Sequence, residues 1–330
     1  MKKLFHHVTD VLCDNGVYHP IRFTQAQSEA LQKIRQAFGD AAGCATGVSL
    51  RFYSDAPEIS FSYRMSCCNG RVNGFDVYEN DTLRAALPVD SGETEGVFRY
   101  EKQSAGETKM EIFLPSNMEM FLWDLQLGNC RAAEPTGKVT LFYGDSLTQS
   151  LYIENPSFSF VSLLSNMESF DYVNRGIGSL YYEDTWLDEK DPVKPDEVFI
   201  MYGPNDLVKH DAAGNVVYRD SEAVYCTEED IPGLIQKADS FLTKTQKIYP
   251  EAKLHVITCV YIVAEMDRSR SETQAAYNRA LTALCAERGL HCIDGDLLVP
   301  HIPDCRVADK IHFNELGNTM VAMALSKFLR

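Results

Sequence analysis

The sequence predicts an α/β chain: a three-layer α/β/α sandwich built on a parallel sheet, preceded by a smaller β-sandwich or jelly roll. Three observations carry that expectation. The chain has 330 residues, more than a single core usually organises, so two domains are expected. From residue 47 to residue 127, short apolar-alternating runs are separated by turn formers, the pattern of antiparallel strands. From residue 138 onward the order becomes strand, helix, strand, helix, which specifies a parallel sheet covered on both faces. Residues 128–137, G-N-C-R-A-A-E-P-T-G, lose the alternation and contain Pro135 and Gly137. They set the expected division into domains 1–132 and 133–330.

Residues 1–23 have little pattern. Thr24-Gln25-Ala26-Gln27 then fits a capping box, and Leu31, Ile34 and Phe38 recur at helical spacing before Gly39, which is expected to end that helix. Six strand candidates follow: G-V-S-L-R-F-Y from 47, E-I-S-F-S-Y-R-M from 58, G-F-D-V-Y from 74, then 96–101, 109–114 and 119–127. Turn formers such as Ser54-Asp55-Ala56-Pro57 and Cys68-Asn69-Gly70 separate them. In the second half the buried-strand candidates are 138–143, 171–175, 197–202, 253–262 and 290–294. Helices are expected near 147–166, 230–248, 271–288 and 313–329, with Ser271 and Gln274 as a capping box and Gly289 as a stop. Residues 206–228 are polar and read as a long loop with room for a short hairpin around Gly214-Asn215.

Composition excludes several classes. Lys and Arg total 31 against 47 Asp and Glu, a net charge of −16 that repels phosphate backbones and anionic membrane surfaces. No nucleic-acid or membrane partner is therefore expected, and no run of 18 apolar residues offers a membrane span. The N-terminal M-K-K-L-F-H-H-V-T-D lacks the apolar core of a signal peptide, so the expected location is cytoplasmic. Ten cysteines are scattered with no C-x-x-C pair, which favours reduced thiols over a disulfide framework. With no H-E-x-x-H and no EF-hand loop, neither a metal nor a cofactor is expected.

Chemistry points to the strand ends. Lys138–Gln149, K-V-T-L-F-Y-G-D-S-L-T-Q, is a buried-strand candidate ending in Gly144-Asp145-Ser146-Leu147. Gly144 permits a sharp turn, and Ser146 falls where a helix begins, fitting either a helix N-cap or a nucleophile. A nucleophilic serine needs a base, and the base needs an orienting acid. Asp309 and His312, three residues apart in V-A-D-K-I-H-F-N, lie between the last strand and the final helix. Donors for an oxyanion are available at two further strand ends: the turn Asn174-Arg175-Gly176-Ile177-Gly178-Ser179, through backbone N–H groups, and Gly203-Pro204-Asn205-Asp206, through the Asn205 amide. Each fragment alone is an ordinary turn. Four in strand order supply nucleophile, backbone donor, side-chain donor and base with its acid.

In that order and spacing, G-D-S-L at 144–147, the turn at 176–178, G-P-N-D at 203–206 and D-K-I-H at 309–312 resemble the four blocks of the SGNH (GDSL) hydrolase superfamily. The resemblance covers roughly 138–330. Gly74-Phe75-Asp76-Val77-Tyr78 is similar to the G-x-D-L-Y signature of a β-domain preceding some esterases of this kind, with Val in place of Leu. The two-domain layout also resembles carbohydrate acetylesterases. The resemblance implies a flavodoxin-like α/β/α fold with Ser146 as nucleophile, His312 as general base and then acid, and Asp309 as its orienter. It implies the N–H groups of Ser146 and Gly178 and the side chain of Asn205 as oxyanion donors. In many members the second-block glycine falls at the position of Ser179, and because the donor is a backbone N–H either residue serves. There is no G-x-S-x-G elbow, and G-I-G-S-L-Y does not complete a dinucleotide fingerprint.

The activity so implied is hydrolysis of short-chain, acetyl-type esters on oligosaccharides, with a small-molecule or oligosaccharide ester as the partner. A general short-chain ester or thioester hydrolase, and a non-catalytic carbohydrate-binding protein, are the alternatives. Tyr181, Tyr182 and Trp186, just after the Gly-rich turn, are candidates for stacking on a sugar face or for core packing. Oligomeric state is not encoded in any feature of the sequence.

Overall fold

A computed structural model describes residues 1–67, 72–90, 92–211, 214–261 and 268–329. The expected turn at Cys68-Asn69-Gly70 and the last residue of the expected strand 253–262 lie outside the described residues. In chain order the first part contains β1 (Phe5–His6), β2 (Asp10–Asp14), β3 (Val17–Ile21), α1 (Gln25–Ile34), α2 (Gln36–Ala42) and β4 (Ser49–Ser54). It continues with β5 (Glu58–Cys67), β6 (Phe75–Glu79), β7 (Thr82–Leu87), β8 (Glu95–Glu101), β9 (Thr108–Phe113), β10 (Met118–Gln126) and β11 (Cys130–Ala132). The second part contains β12 (Val139–Gly144), α3 (Ser146–Gln149), α4 (Phe160–Glu168), β13 (Asp171–Gly176), β14 (Glu197–Met201), β15 (Tyr218–Arg219) and β16 (Glu222–Ala223). It ends with α5 (Ile231–Ile248), β17 (Lys253–Ile257), α6 (Arg268–Glu287), β18 (His291–Ile293) and α7 (Glu315–Leu329).

The strands of the first part form two antiparallel sheets, β1-β4-β9-β6-β7 with β11 beside β4, and β2-β3-β10-β5-β8. Period-two alternation turns Leu50, Phe52, Val77, Met110 and Ile112 of one sheet against Ile59, Phe61, Phe98, Met120 and Leu122 of the other. Burying each such side chain is worth about 1.5–3 kcal/mol, which is what joins two sheets into a sandwich. The β-sandwich expected from the sequence is therefore present. Strands β1 to β3, β7 and β11 were not among the expected elements.

The second part is a five-stranded parallel sheet ordered β13-β12-β14-β17-β18. Numbered within the sheet this is 2-1-3-4-5, a doubly wound order whose strand direction of winding reverses beside β12. Successive residues of the central strands face opposite layers. Leu141, Tyr143, Val198, Ile200 and Val256 meet Phe241 of α5 and Tyr277 and Leu281 of α6 on one side. Phe142, Phe199 and Ile257 meet Phe160 and Leu164 of α4 and Val321 and Leu325 of α7 on the other. That is the three-layer sandwich.

Local departures from the expected elements have identifiable causes. The single helix expected to end at Gly39 is two: Arg35 is extended (φ −158°, ψ 133°), α2 continues through Gly39, and Gly43 follows its last residue. Thr24 and Gln27 do form the capping box. The helix expected over 147–166 is broken by Ser150 and Tyr152 in the left-handed region, leaving a one-turn α3 and the separate α4. Helix α6 begins at Arg268, so Ser271 lies inside it and is not its cap. Strand β17 stops at Ile257, in step with Met201 and Ile293 of its neighbours. Residues 206–228 contain a turn closed by Asp211 and Asn215 and a second hairpin, β15–β16.

The division at 132/133 is crossed by packing. Phe23, Leu31, Phe38, Ala41 and Ala42 belong to the core of the α/β sheet, with Leu141, Tyr143 and Trp186. Arg22, fully buried, donates to the carbonyls of Ala41 and Cys44 on its own side and to those of Asn174 and Gly176 at the end of β13. Arg175 returns a bond to the Arg22 carbonyl (3.0 Å) and pairs with buried Asp191. A buried pair of this kind is costly to break, because the remaining charge is stranded. Residues 22–42 are thus part of the helical layer of the second domain. None of the helices among the described residues is long and apolar enough to cross a membrane.

Candidate active site

At a switch point, ligands meet the carboxyl ends of the strands on either side. Strands β12 and β14 end there in Gly144 and Met201, paired in register. A Cβ on Gly144 would collide with the Thr148 hydroxyl and stand 2.7 Å from the Met201 carbonyl, so only glycine lets the chain turn there. Asp145 follows with its side chain capping α3: Oδ1 accepts from the Leu147 N–H at 2.9 Å. The cap is therefore Asp145, not Ser146. Ser146 is the first residue of the helix and its hydroxyl is left for another partner.

That partner is His312. Its Nε2 lies 2.8 Å from Ser146 Oγ, and its Nδ1 lies 2.6 Å from Asp309 Oδ2. The spacing Asp-x-x-His brings the two together through a tight turn in which Lys310 takes φ +60° and Asp309 Oδ1 accepts the N–H groups of Ile311 and His312. Partial burial pushes the Asp309 carboxyl up, but the bonds from His312 and these two amides outweigh it and hold it below its ordinary range. Arg306 ties the same turn down, donating to the Ile311 carbonyl at 2.9 Å and to the Tyr261 carbonyl at 2.6 Å.

Asn205 stands at the end of β14, its Nδ2 3.2 Å from Asp145 Oδ2. One of its two amide protons is so engaged, and the other is free to point elsewhere. Gly203 before it has φ +145°, with Cys259 packed where a Cβ would sit. Asp145 is wholly buried and its carboxyl is pushed up to about 7 by loss of solvent, against the bonds from Leu147 and Asn205.

The Gly-rich turn bears on the choice between Gly178 and Ser179. The Gly178 N–H donates to Gln149 Oε1 at 2.7 Å, so it is already engaged. Ser179, one residue on, has φ +65°, and its N–H has no partner among the described residues. Gln149, fully buried and one turn after Ser146, was not singled out from the sequence. Its i+3 spacing from the serine was the available signal.

Trp186 and Tyr182 are buried, packed against Tyr143, Tyr202 and Phe241, which removes them as sugar-stacking surfaces. Tyr181 reaches the wall of a cavity of about 580 Å³ that also touches Asp206, His210 and Lys237. Ser146 and His312 do not line it. A different aromatic residue stands at the serine–histidine pair: Tyr152, exposed, with its ring 4.8 Å from that of His312.

A doubly wound α/β/α sheet with hydroxyl, imidazole and carboxylate in series at its switch point has the architecture of a serine-dependent acyl-transfer enzyme. The chain belongs to the GDSL-like lipase/acylhydrolase family, whose model matches residues 142–320. It is accordingly a carboxylic ester hydrolase by family. No curated protein matches it in sequence. Among solved structures it is similar to the salicylyl-acyltransferase SsfX3 from a tetracycline biosynthetic pathway, at 15% identity and TM-score 0.74, over 97% of this chain and 92% of that one. It is similar to a GDSL-like lipase of Bacteroides ovatus at 15% identity and TM-score 0.70, over 99% and 95%. A family two carbohydrate esterase from Cellvibrio japonicus matches at 13% identity and TM-score 0.64, over 99% and 95%. At these identities the likeness concerns the fold, and it extends over both the sandwich and the α/β sheet.

Proposed function

We propose that the protein is a serine esterase that removes short acyl groups, acetyl in the first instance, from hydroxylated carriers of the oligosaccharide class. The observation that carries the reading is the unbroken series Ser146 Oγ, His312 Nε2, His312 Nδ1, Asp309 Oδ2, with contacts of 2.8 and 2.6 Å. In this reading His312 takes the Ser146 proton as Oγ attacks the ester carbonyl, and the tetrahedral oxyanion accepts from the N–H groups of Ser146 and Ser179 and from Asn205. Ser179 replaces Gly178 because the latter amide is bonded to Gln149. The C–O bond to the alcohol then breaks as His312 returns the proton to the leaving oxygen. Water, deprotonated by His312, attacks the acyl-enzyme and releases the carboxylic acid with Ser146 restored.

The choice of carrier is supported by the resemblance in architecture to carbohydrate esterases, one of them a Clostridium thermocellum enzyme in complex with cellohexaose. Ser146→Ala should lower kcat on p-nitrophenyl acetate by at least about 10³-fold with the melting temperature little changed. A variant retaining wild-type turnover would remove Ser146 from the mechanism. Comparing acetate with butyrate and octanoate esters, and with acetylated xylo-oligosaccharides, tests the substrate class. Equal kcat/KM across chain lengths contradicts acetyl preference.

A further inference from the structure

The segment after the nucleophile turn is held from outside the α/β sheet. Asp76 of β6, in the G-F-D-V-Y stretch, is buried, and both of its oxygens are taken by this segment. Oδ1 accepts from Asn155 Nδ2 at 2.9 Å, and Oδ2 accepts from the Ser157 N–H at 2.9 Å and the Ser157 hydroxyl at 2.6 Å. Tyr78 of the same strand donates to Ser157 Oγ at 3.0 Å, and Asn73 just before it donates to the Ile153 carbonyl. Helix α7 holds the segment as well: Glu315, whose charge also reaches Asp76, accepts from the Glu154 N–H at 2.9 Å, and Asn318 accepts from the Ser150 hydroxyl at 3.1 Å.

Between these two anchorages stands Tyr152. Its φ is +72°, a region an aromatic residue enters only where its surroundings dictate it. Its ring meets His312 edge to face at 67°, it is 38% exposed, and its hydroxyl has no hydrogen-bond partner among the described residues. Since His312 is the group that returns a proton to the leaving alcohol, a ring beside it faces the alcohol half of the ester.

We propose that Asp76 is a positioning residue, which through Asn155 and Ser157 sets Tyr152 against His312 as the wall that receives the alcohol portion of the substrate. The β-sandwich then acts on specificity by shaping the site, not as a separate binding module. This rests on the reading of His312 as the general acid. An exposed phenol ring with a free hydroxyl suits a ring-shaped, hydroxylated or aryl alcohol, which it can stack against and hydrogen-bond.

The test uses the full chain with Asp76→Asn, Tyr152→Ala and the double variant, and phenyl acetate against ethyl acetate as probes. Asparagine is near-isosteric but keeps one acceptor oxygen where Asp76 uses two, so either Asn155 Nδ2 or the Ser157 N–H loses its acceptor and faces an amide N–H, with little change of volume. Tyr152→Ala is expected to lower the phenyl-to-ethyl ratio of kcat/KM about 10-fold, mainly through KM on phenyl acetate. Asp76→Asn is expected to lower it similarly, and the double variant no further. A merely structural role for Asp76 would lower both esters equally and leave the ratio at its wild-type value. The His312 ring-proton NMR shift reports the same contact without catalysis, and it should lose the Tyr152 ring-current contribution in both single variants.

A wild-type ratio together with a wild-type shift in Asp76→Asn, or additive losses in the double variant, overturns the proposal while leaving the esterase reading intact. If wild-type protein hydrolyses neither ester but Asp76→Asn still abolishes the ring-current shift, the clamp stands and the esterase reading falls. Should Asp76→Asn not fold, Asn155→Ala removes one of the same bonds from the segment side and carries the same expectation.

Discussion

Gln149→Leu removes one acceptor from the site while keeping nearly the same buried volume, and so isolates what the Gly178–Gln149 bond does. In the native chain that bond is 2.7 Å long between two buried groups. Without it the Gly178 N–H is an unsatisfied buried donor, costing about 1–3 kcal/mol. The turn can relieve that cost only by rotating the peptides around Gly178, which moves the Ser179 N–H as well. A well-placed oxyanion donor is worth about 10²–10³ in rate, and partial displacement should forfeit about 10- to 100-fold. The loss should fall on kcat with KM nearly constant, because the donors act on charge that exists only in the transition state. Steady-state kinetics on p-nitrophenyl acetate and thermal melts measure the two effects together. A Gln149→Leu protein with kcat within twofold of wild type and an unchanged melting temperature would refute the assignment of this turn as a held donor.

Further outcomes follow from the same geometry. Asp309→Ala should reduce kcat about 10- to 100-fold, less than for a fully buried orienter, because its side chain is 37% exposed and water can take over part of the His312 bond; pre-steady-state acylation rates measure it. Asp206 is buried, and its carboxyl is pushed up to about 7 by loss of solvent and by the Asp145 charge, against the bond from the Tyr182 N–H. A raised carboxyl gives stability that is full below the ordinary value of 3.8 and declines as pH rises to about 7. Asp206→Asn should therefore gain stability relative to wild type across that window and level off above it, as read by urea melts at several pH values. A fragment of residues 133–330 should fail to fold as a soluble domain, because it lacks Phe23, Leu31 and Phe38 of its own helical layer; circular dichroism and solubility report it. Leu31→Ala in the full chain should cost about 2–5 kcal/mol and lower the stability of the α/β part.

The architecture was legible where local pattern and tertiary role coincide. Alternation with turn formers marked the sandwich strands from 47 to 127, and uniform apolar runs marked β12 and β14. The serine, histidine, aspartate and asparagine could be found because each sits at a strand end in a short polar motif, and short motifs survive reading without coordinates. What was not legible depends on partners far away in sequence. Strands β1 to β3 are short and mixed: His6 of β1 and His7 just after it are both buried, beside Asp171 and Glu111, so the alternation is blurred. Helices α1 and α2 precede the sandwich strands yet pack on the parallel sheet, which no local pattern announces. Gly178 looked available because its acceptor, Gln149, lies 29 residues earlier. Trp186 and Tyr182 stayed open between sugar stacking and core packing because burial of an aromatic ring is decided by layers that the sequence lists elsewhere.

The measurement that bears most directly on the central claim is covalent capture of the nucleophile. Protein treated with a fluorophosphonate and digested should give, by mass spectrometry, a single adduct on the peptide that contains Ser146, and the adduct should be lost in Ser146→Ala and formed far more slowly in His312→Ala. An adduct on another residue, or none while ester hydrolysis continues, would contradict it.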